Sequence, residues 1–342
     1  MKEQACLVEL EYFLPDQVVT NEQLAARFPE WSVDKIEAKT GIHQRHVAGP
    51  DECASDLGIR AAERLFEQSG IQRDEIDFLL FCTESPDYFF PASACIIQSE
   101  LGLDRDIGAF DITLGCSGFV VGLSQAKAII ESDLASNVLL ICADTYSKFM
   151  HPQDKSVQTI FGDGGSAALI GARKGNSLPF LDSFVFGTDG RGAENLIVPM
   201  GGCRRPISDG DGLDLVADKH GNARTERNLF MNGSEIFNFT IDIVPKTVSA
   251  VLKKSGLSIG EIDKFVFHQA NKFMLGHLQR KLEVPDEKFV YCLSDCGNTV
   301  SSTIPIAIKR EMEGGRINSG DVLLLLGFGV GYSWAGSILR VA

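Results

Sequence analysis

The apolar positions of this chain fall into two periods that alternate along its length. Leu57, Ala61, Leu65 and Phe66 recur at helical spacing, and Ile241, Val244, Val248, Val251 and Leu252 do the same farther on. Each set predicts an amphipathic helix with one buried face, and each is followed by a β-rich run. The two runs are "SGIQRDEIDFLLFCTES" from Ser69 and "SGLSIGEIDKFVFHQAN" from Ser255, at an offset of 255 − 69 = 186. They share SG, a branched aliphatic residue, three variable positions and EID. "NVLLICA" from Asn137 returns as "DVLLLLG" from Asp321, and 321 − 137 = 184. Two unrelated α/β segments would explain the apolar runs but not the repeated SG…EID frame, so the chain contains an internal duplication. Each half reads as helix, strand, short polar segment, helix, strand, glycine-rich turn, strand, which predicts a layered α/β architecture. The halves are placed at residues 1–175 and 176–342. The region from about 173 to 235 interrupts the correspondence and, being rich in Gly, Asp and Arg, is expected to form long functional loops.

The most apolar segment, 322–339, is long enough to suggest a membrane span. Its glycines and the run Tyr332, Ser333, Trp334 predict strand, glycine turn, strand instead. The N-terminal stretch carries acidic residues inside its apolar run, so no signal peptide is expected. A formal charge of −14 argues against nucleic-acid binding, and an acidic partner would need a local basic patch. Nine cysteines, an odd number with no CxxC pair, predict reduced thiols in a cytoplasmic protein.

One of those cysteines has a special setting. Cys116 stands between Gly115 and Ser117-Gly118 at the start of an apolar run. Free cysteine is usually just a small buried hydrophobe. A thiol at a helix N-terminus is alternatively a nucleophile, because the helix dipole favours the thiolate. The duplication bears on the choice. It sets Cys116 opposite Asn298 (298 − 116 = 182), and the Glu84 segment opposite the His268 segment. A lone histidine at a strand end is more often structural, and Gly-Asn is a common turn. If the two halves face each other, however, their corresponding loops make one site holding Cys116, Glu84, His268 and Asn298. Cys, His and Asn suit thioester chemistry: the thiol accepts an acyl group, and two neutral donors stabilise an enolate formed by loss of CO₂. Papain-like proteases share the chain order Cys, His, Asn, but their local cysteine signature is absent here.

Seven segments carry a closer likeness: "TGIHQRHVA" (40–48), "FPASACIIQSELG" (90–102), "GCSGF" (115–119), "FGDGGSAAL" (161–169), "HQAN" (268–271), "GNT" (297–299) and "GFGVGYSW" (327–334). In order and spacing the chain resembles the β-ketoacyl-acyl-carrier-protein synthase III family of the thiolase superfamily, nearly end to end. The resemblance implies an α/β, thiolase-like fold with a duplicated five-layered αβαβα architecture, in a cytoplasmic homodimer. It implies a decarboxylative Claisen condensation in fatty acid or related specialised acyl or polyketide biosynthesis. An acyl-CoA primer would acylate Cys116, and malonyl-acyl carrier protein would supply the carbanion. His268 and Asn298 would stabilise the enolate, and the backbone N–H groups of Cys116 and Val330 would form the oxyanion hole. Phe328 matches an aromatic residue of the acyl pocket. Trp31, Asn271, Lys272 and Arg280 are the candidates for binding CoA or carrier protein. No metal or cofactor is expected beyond the CoA and phosphopantetheine thioesters.

The chain departs from the family pattern in three places. Trp31 lies nine residues before Thr40, farther from TGI than the family's tryptophan. Phe273 stands five residues after His268, where the family often has a basic residue, with Lys272 before it and Arg280 and Lys281 beyond. Val330 replaces the middle glycine of the closing motif and restricts that loop. Glu84, in "CTESPDYFF", is a further difference, because primary-metabolism synthases tend to carry a small hydroxyl residue there. HMG-CoA synthases of the same superfamily have a glutamate in a similar TES context. Glu84 is therefore read either as an acid/base for a non-standard thioester condensation or as a carboxylate that only contacts substrate. A non-catalytic partner subunit would have lost a catalytic residue, whereas all three are intact. The depth of the acyl pocket is expected to depend on loops 85–90 and 191–210.

Overall fold

The structure is a computed structural model that describes residues 3–174, 180–208 and 210–342. The boundary expected between 175 and 176 lies outside the described residues. Nine of the strands among the described residues form the two main sheets. The first holds β1 (Glu3–Phe13), β2 (Phe78–Cys82), β3 (Gly108–Ile112), β4 (Asn137–Asp144) and β5 (Gly164–Lys174), in the order β1-β5-β4-β2-β3. The second holds β6 (Leu181–Thr188), β7 (Lys264–Phe267), β8 (Val322–Gly329) and β9 (Ser333–Arg340), in the order β7-β8-β9-β6. The pairs β3–β2, β2–β4 and β7–β8 are parallel, and each sheet continues on its other side in antiparallel strands, β5 and β1 in the first and β9 and β6 in the second. A single bridge between Phe265 and Phe289 stands where the first sheet has β3. The segment 322–339 is thus two antiparallel strands, and no described helix is long and apolar enough to cross a membrane.

Six helices complete the two halves: α1 (Ala54–Ser69), α2 (Ser93–Glu100) and α3 (Gly118–Glu131), then α4 (Gly233–Ser255), α5 (Lys272–Leu282) and α6 (Thr303–Glu313). Helices α1 and α4 bury the faces expected from their spacing, with Leu57, Ala61 and Leu65 against the first sheet and Val244, Val248 and Val251 against the second. Helices α3 and α6 lie between the sheets. Phe119, Leu123, Ile304 and Ile308 pack there against Leu80 and Leu140 from one side and Val266 and Leu325 from the other. The result is the five-layered thiolase-type arrangement. The buried strands read as continuous apolar runs because both of their faces are covered.

The repeated SG…EID frame has a physical basis. Gly70 and Gly256 both end their helices with φ +72°, a left-handed cap that suits glycine. Ile76 and Ile262 are both buried. The aspartates then pin the neighbouring parallel strand. Asp77 accepts from the Ser136 and Asn137 N–H groups at 2.7 and 2.8 Å, and Asp263 accepts from the Val322 N–H at 2.8 Å. The frame therefore fixes where β4 and β8 begin, and with them the level at which the following loops emerge.

One expectation is corrected. Within 173–235, read as loops, β6 is a full edge strand carrying buried Leu181 and Phe184. Its alternation is broken by Ser183, which has φ +55°, and its register against β9 shifts between Gly336 and Ile338. A bulge of this kind hides a strand from a period-two search.

Asp77→Ala removes the acceptor for two backbone donors at a solvent-exposed edge. We expect a loss of about 1–2 kcal/mol in urea unfolding, with Asp77→Asn retaining part of it.

Candidate active site

Cys116 is buried, and α3 starts two residues later at Gly118. A narrow pocket of about 100 Å³ above it is lined by Cys116, Phe161, His268, Asn271, Asn298 and Phe328. The three residues expected to act together therefore do meet, although they are far apart in sequence. His268 directly follows β7, and its backbone N–H donates to the Leu326 carbonyl at 2.9 Å. Asn298 is held by the first half of the chain: its N–H donates to the Ile160 carbonyl and its own carbonyl accepts from the Gly162 N–H, both at 3.0 Å. Its side-chain Oδ1 accepts from the Val300 N–H at 2.9 Å, so Nδ2 is left facing His268 Nε2 at 3.4 Å.

The other face of the imidazole is fixed by Thr303, which sequence reasoning missed. Nδ1 lies 2.7 Å from Thr303 Oγ1, and that hydroxyl also reaches the Val300 carbonyl at 3.1 Å. When the hydroxyl proton goes to Val300, Nδ1–H donates to Thr303 and Nε2 is an acceptor. When the hydroxyl turns to donate to Nδ1, Nε2–H becomes a donor into the pocket. Burial pushes the His268 pKa down to about 3, so the ring is neutral in either arrangement.

The thiol is not the preformed thiolate that a helix N-terminus suggests. Desolvation, and then the negative charges of Glu84 and Asp144, raise its pKa well above the ordinary value. The N–H groups of Val330 and Cys116 point at the sulfur and pull the other way, without winning. The helix-end effect is modest beside complete desolvation. Gly329 makes room for the sulfur, since a Cβ there would stand 2.8 Å from Cys116 Sγ.

Glu84 lies beside Cys116, on the flank away from the narrow pocket. Its Oε2 would stand 2.5 Å from a Cβ on Gly115, so the glycine before the cysteine makes room for a carboxylate. Tyr146 donates its hydroxyl to Glu84, and the Gly115 N–H also hydrogen-bonds to it. Burial raises the Glu84 pKa to about 6 against these two donors. The backbone of Glu84 is anchored to a second acid. Asp144, fully buried at the end of β4, accepts from the Glu84 N–H at 2.8 Å, from Ser301 N–H at 3.2 Å and from Ser301 Oγ at 2.5 Å. Tyr146 and Asp144 were also missed; the only hint was an acid ending the apolar run "NVLLICAD".

A larger cavity of about 610 Å³ opens on the Glu84 side, where Val330 joins it. Both loops expected to shape the acyl pocket line it, through Tyr88 and Phe89 on one and Met200 and Ile207 on the other. Asp209, in the second loop, lies outside the described residues. Phe328 does not line this cavity. It lies edge-on to the His268 ring, with centroids 5.6 Å apart, and lines the narrow pocket rather than the large one. Phe328 still lies in strand β8, whereas Val330 opens the turn at 330–332 that follows it, and the two border different spaces.

The outer candidates are dispersed. Trp31 packs on the small cluster of Leu24, Phe28 and Ile36, with Lys35 and Lys39 over its ring at 5.2 and 4.9 Å. Asn271 spends its Oδ1 capping α5 at Met274 N–H, 2.8 Å away. Lys272 and Arg280 border a cleft of about 640 Å³ that also contains Asp34 and Glu37, so the expected basic patch is partly neutralised. Lys281 donates to the Ile241 carbonyl at 2.6 Å. No group of three or more ligating side chains that could hold a metal occurs among the described residues.

Because its thiolate is disfavoured, Cys116 should be alkylated by iodoacetamide slowly at pH 7, and about tenfold faster per pH unit up to at least pH 9. A rate already level at pH 7, followed by mass spectrometry of the modified peptide, would show a preformed thiolate.

Known proteins share this fold. The family description 3-oxoacyl-[acyl-carrier-protein] synthase III matches residues 110–190, and its C-terminal part matches residues 252–341. A β-ketoacyl-[acyl-carrier-protein] synthase III of Chlamydia caviae is 37% identical over 332 residues, covering 96% of this chain and 94% of that protein. A crystal structure of a 3-oxoacyl-(acyl-carrier-protein) synthase III matches with a TM-score of 0.97 at 48% identity, covering 98% of this chain and 99% of that one. The 3-oxoacyl-(acyl-carrier-protein) synthase of Burkholderia xenovorans matches with a TM-score of 0.90 at 36% identity, covering 100% and 95%. Nothing in these similarities favours the HMG-CoA-synthase alternative. The likeness expected from the motifs thus extends over the whole fold, and the chain belongs to the β-ketoacyl-acyl-carrier-protein synthase III family of acyltransferases.

Proposed function

We propose that this protein condenses an acyl-CoA primer with malonyl-acyl carrier protein through an acyl-Cys116 intermediate. The observation that carries the reading is the convergence of Cys116, a neutral His268 and the Asn298 amide on one narrow pocket. In the first half-reaction the Cys116 sulfur attacks the primer thioester, and the thiol proton leaves on CoA. The backbone N–H groups of Cys116 and Val330 hold the tetrahedral oxyanion. The acyl chain then occupies the cavity beside Glu84 and Val330, which is lined mostly by apolar side chains. In the second, malonyl thioester loses CO₂, and its electron pair becomes an enolate on the thioester oxygen. His268 Nε2–H and Asn298 Nδ2–H donate to that oxygen, with the Thr303 hydroxyl turned toward Nδ1. The carbanion attacks acyl-Cys116, the C–S bond breaks, the departing thiolate takes a proton from water to regenerate the thiol, and a 3-oxoacyl-acyl carrier protein leaves. No step calls for a metal or further cofactor.

Supporting groups follow the same reading. Trp31, with its flanking lysines, offers an aromatic and cationic face to the nucleotide of CoA. Lys272, which follows Asn271 of the narrow pocket, and Arg280, farther along α5, offer basic side chains to an acidic carrier protein. The protein acts as a homodimer in this account. Strand β3 is paired only with β2, Phe110 on it is exposed, and beside it Tyr88, Phe89 and Phe90 are 63, 79 and 85% exposed. An unpaired strand edge beside an apolar patch invites a second copy. All nine thiols are free, which fits a reducing, cytoplasmic setting.

Incubation with acyl-CoA should add one acyl group to Cys116, read by intact-protein mass, and Cys116→Ala should take up none. His268→Ala and Asn298→Ala should still be acylated while condensation falls by at least about a hundredfold. Absence of acylation across chain lengths would refute the assignment. Thr303→Val, which removes the hydroxyl that lets Nε2 carry the proton, should also acylate normally but decarboxylate malonyl thioester slowly, with Thr303→Ser restoring the rate. Phe89→Asp with Phe90→Asp should shift the protein from dimer to monomer in light scattering.

A further inference from the structure

The large cavity on the Glu84 and Val330 side of Cys116 carries a carboxylate in its wall, which is an unusual lining for an acyl pocket. Most of the cavity is apolar, built from Tyr88, Phe89, Phe149, Met200, Ile207 and Leu229. Glu84 interrupts that surface at its reactive end. It is held from behind by the Tyr146 hydroxyl and the Gly115 N–H, and the residue remains partly accessible on the cavity side. Asp87 borders the same cavity, and its Oδ1 is sheltered from solvent with no donor among the described residues. Thr113 and Arg227 complete the polar part of a mostly apolar wall, and the Arg227 guanidinium is engaged by the Asp211 and Ser208 carbonyls at 2.9 and 3.4 Å.

The position of Glu84 fixes which part of a primer it would meet. Its Oε2 takes the space of the missing Cβ on Gly115, whose Cα lies about 3.8 Å from that of Cys116. Val330, whose N–H reaches the Cys116 sulfur, lines the same cavity. An acyl group on Cys116 that enters this space therefore passes Glu84 with its first carbons and meets the aromatic and aliphatic wall with its tail. A plain alkyl chain would strip water from the carboxylate and return nothing. A hydroxyl on those first carbons would return the lost hydrogen bond.

We propose that Glu84, oriented by Tyr146, selects a medium-length primer bearing a hydroxyl at C2 or C3, so that the substrate is a hydroxyacyl thioester rather than a simple fatty acyl one. This rests on the assignment of Cys116 as acyl acceptor and names the substrate class for it. Sites built to hydrogen-bond a substrate hydroxyl discriminate strongly against the analogue that lacks it.

The test compares rates of Cys116 acylation by octanoyl-, 2-hydroxyoctanoyl- and 3-hydroxyoctanoyl-CoA at equal concentration, by intact-protein mass. One hydroxylated thioester should react at least about tenfold faster than octanoyl-CoA. Glu84→Ala should collapse that ratio toward one. Tyr146→Phe, which frees the carboxylate to swing, should reduce it, and Glu84→Gln, which keeps an acceptor oxygen, should preserve part of it. If Glu84→Ala does not fold, judged by circular dichroism, the other two variants decide. Octanoyl-CoA reacting as fast as both hydroxylated thioesters would overturn the proposal, as would a ratio unchanged in the variants. Glu84→Gln that acylates with the wild-type ratio yet never condenses would overturn it in favour of proton transfer. No acylation by any thioester would instead remove the underlying role of Cys116, and this inference with it.

Discussion

The site depends on one buried acid that belongs to both halves of the duplication. Asp144 has no exposed surface, yet its carboxylate accepts hydrogen bonds from the loop that carries Glu84 and from the turn just after Asn298. That turn includes Val300 at φ +55°, a conformation that a β-branched residue adopts only under constraint. Desolvation pushes the acid's pKa up to about 8, and the donors gathered around it oppose that shift. Two loops from different copies of the repeat are thereby held at a common height, and the distance between thiol and amide is set by the packing of the halves rather than by either loop alone.

The same dryness governs the reactive groups. Cys116 is disfavoured as a thiolate and His268 as an imidazolium, so these two reacting groups are held neutral at rest. A condensing enzyme gains from this. The acyl-enzyme is a neutral thioester, which a desolvated pocket accommodates without penalty, and the enolate meets neutral donors whose strength grows where water is excluded. Ionisation of the thiol is needed once per cycle, whereas protection of the carbanion from water is needed at its most reactive moment.

Much of this was legible in the sequence, for reasons tied to particular residues. The helix faces of Leu57–Phe66 and Ile241–Leu252 obey simple periodicity, and the SG…EID frame encodes caps and strand anchors that recur with the same geometry in both halves. Cys116, His268 and Asn298 could be brought together because the duplication sets Cys116 opposite Asn298 and the His268 segment opposite that of Glu84. Strand β6 was hidden by its bulge at Ser183. Thr303, Asp144 and Tyr146 were not legible because an ordinary threonine, aspartate or tyrosine acquires its role from a partner more than thirty residues away. Which of the two spaces Phe328 borders was not legible, because local alternation says which side a residue faces, not which cavity lies there.

Gly115 has a consequence beyond local geometry. The volume that a side chain at 115 would fill is already occupied by the end of the side chain at 84. The two positions therefore form a single choice rather than two independent ones. Any larger residue at 115 would evict the acid, and any shorter residue at 84 would leave a gap behind the nucleophile. A redesign of the pocket would have to exchange them as a pair, and among homologues a glutamate at the first position should travel with a glycine at the second.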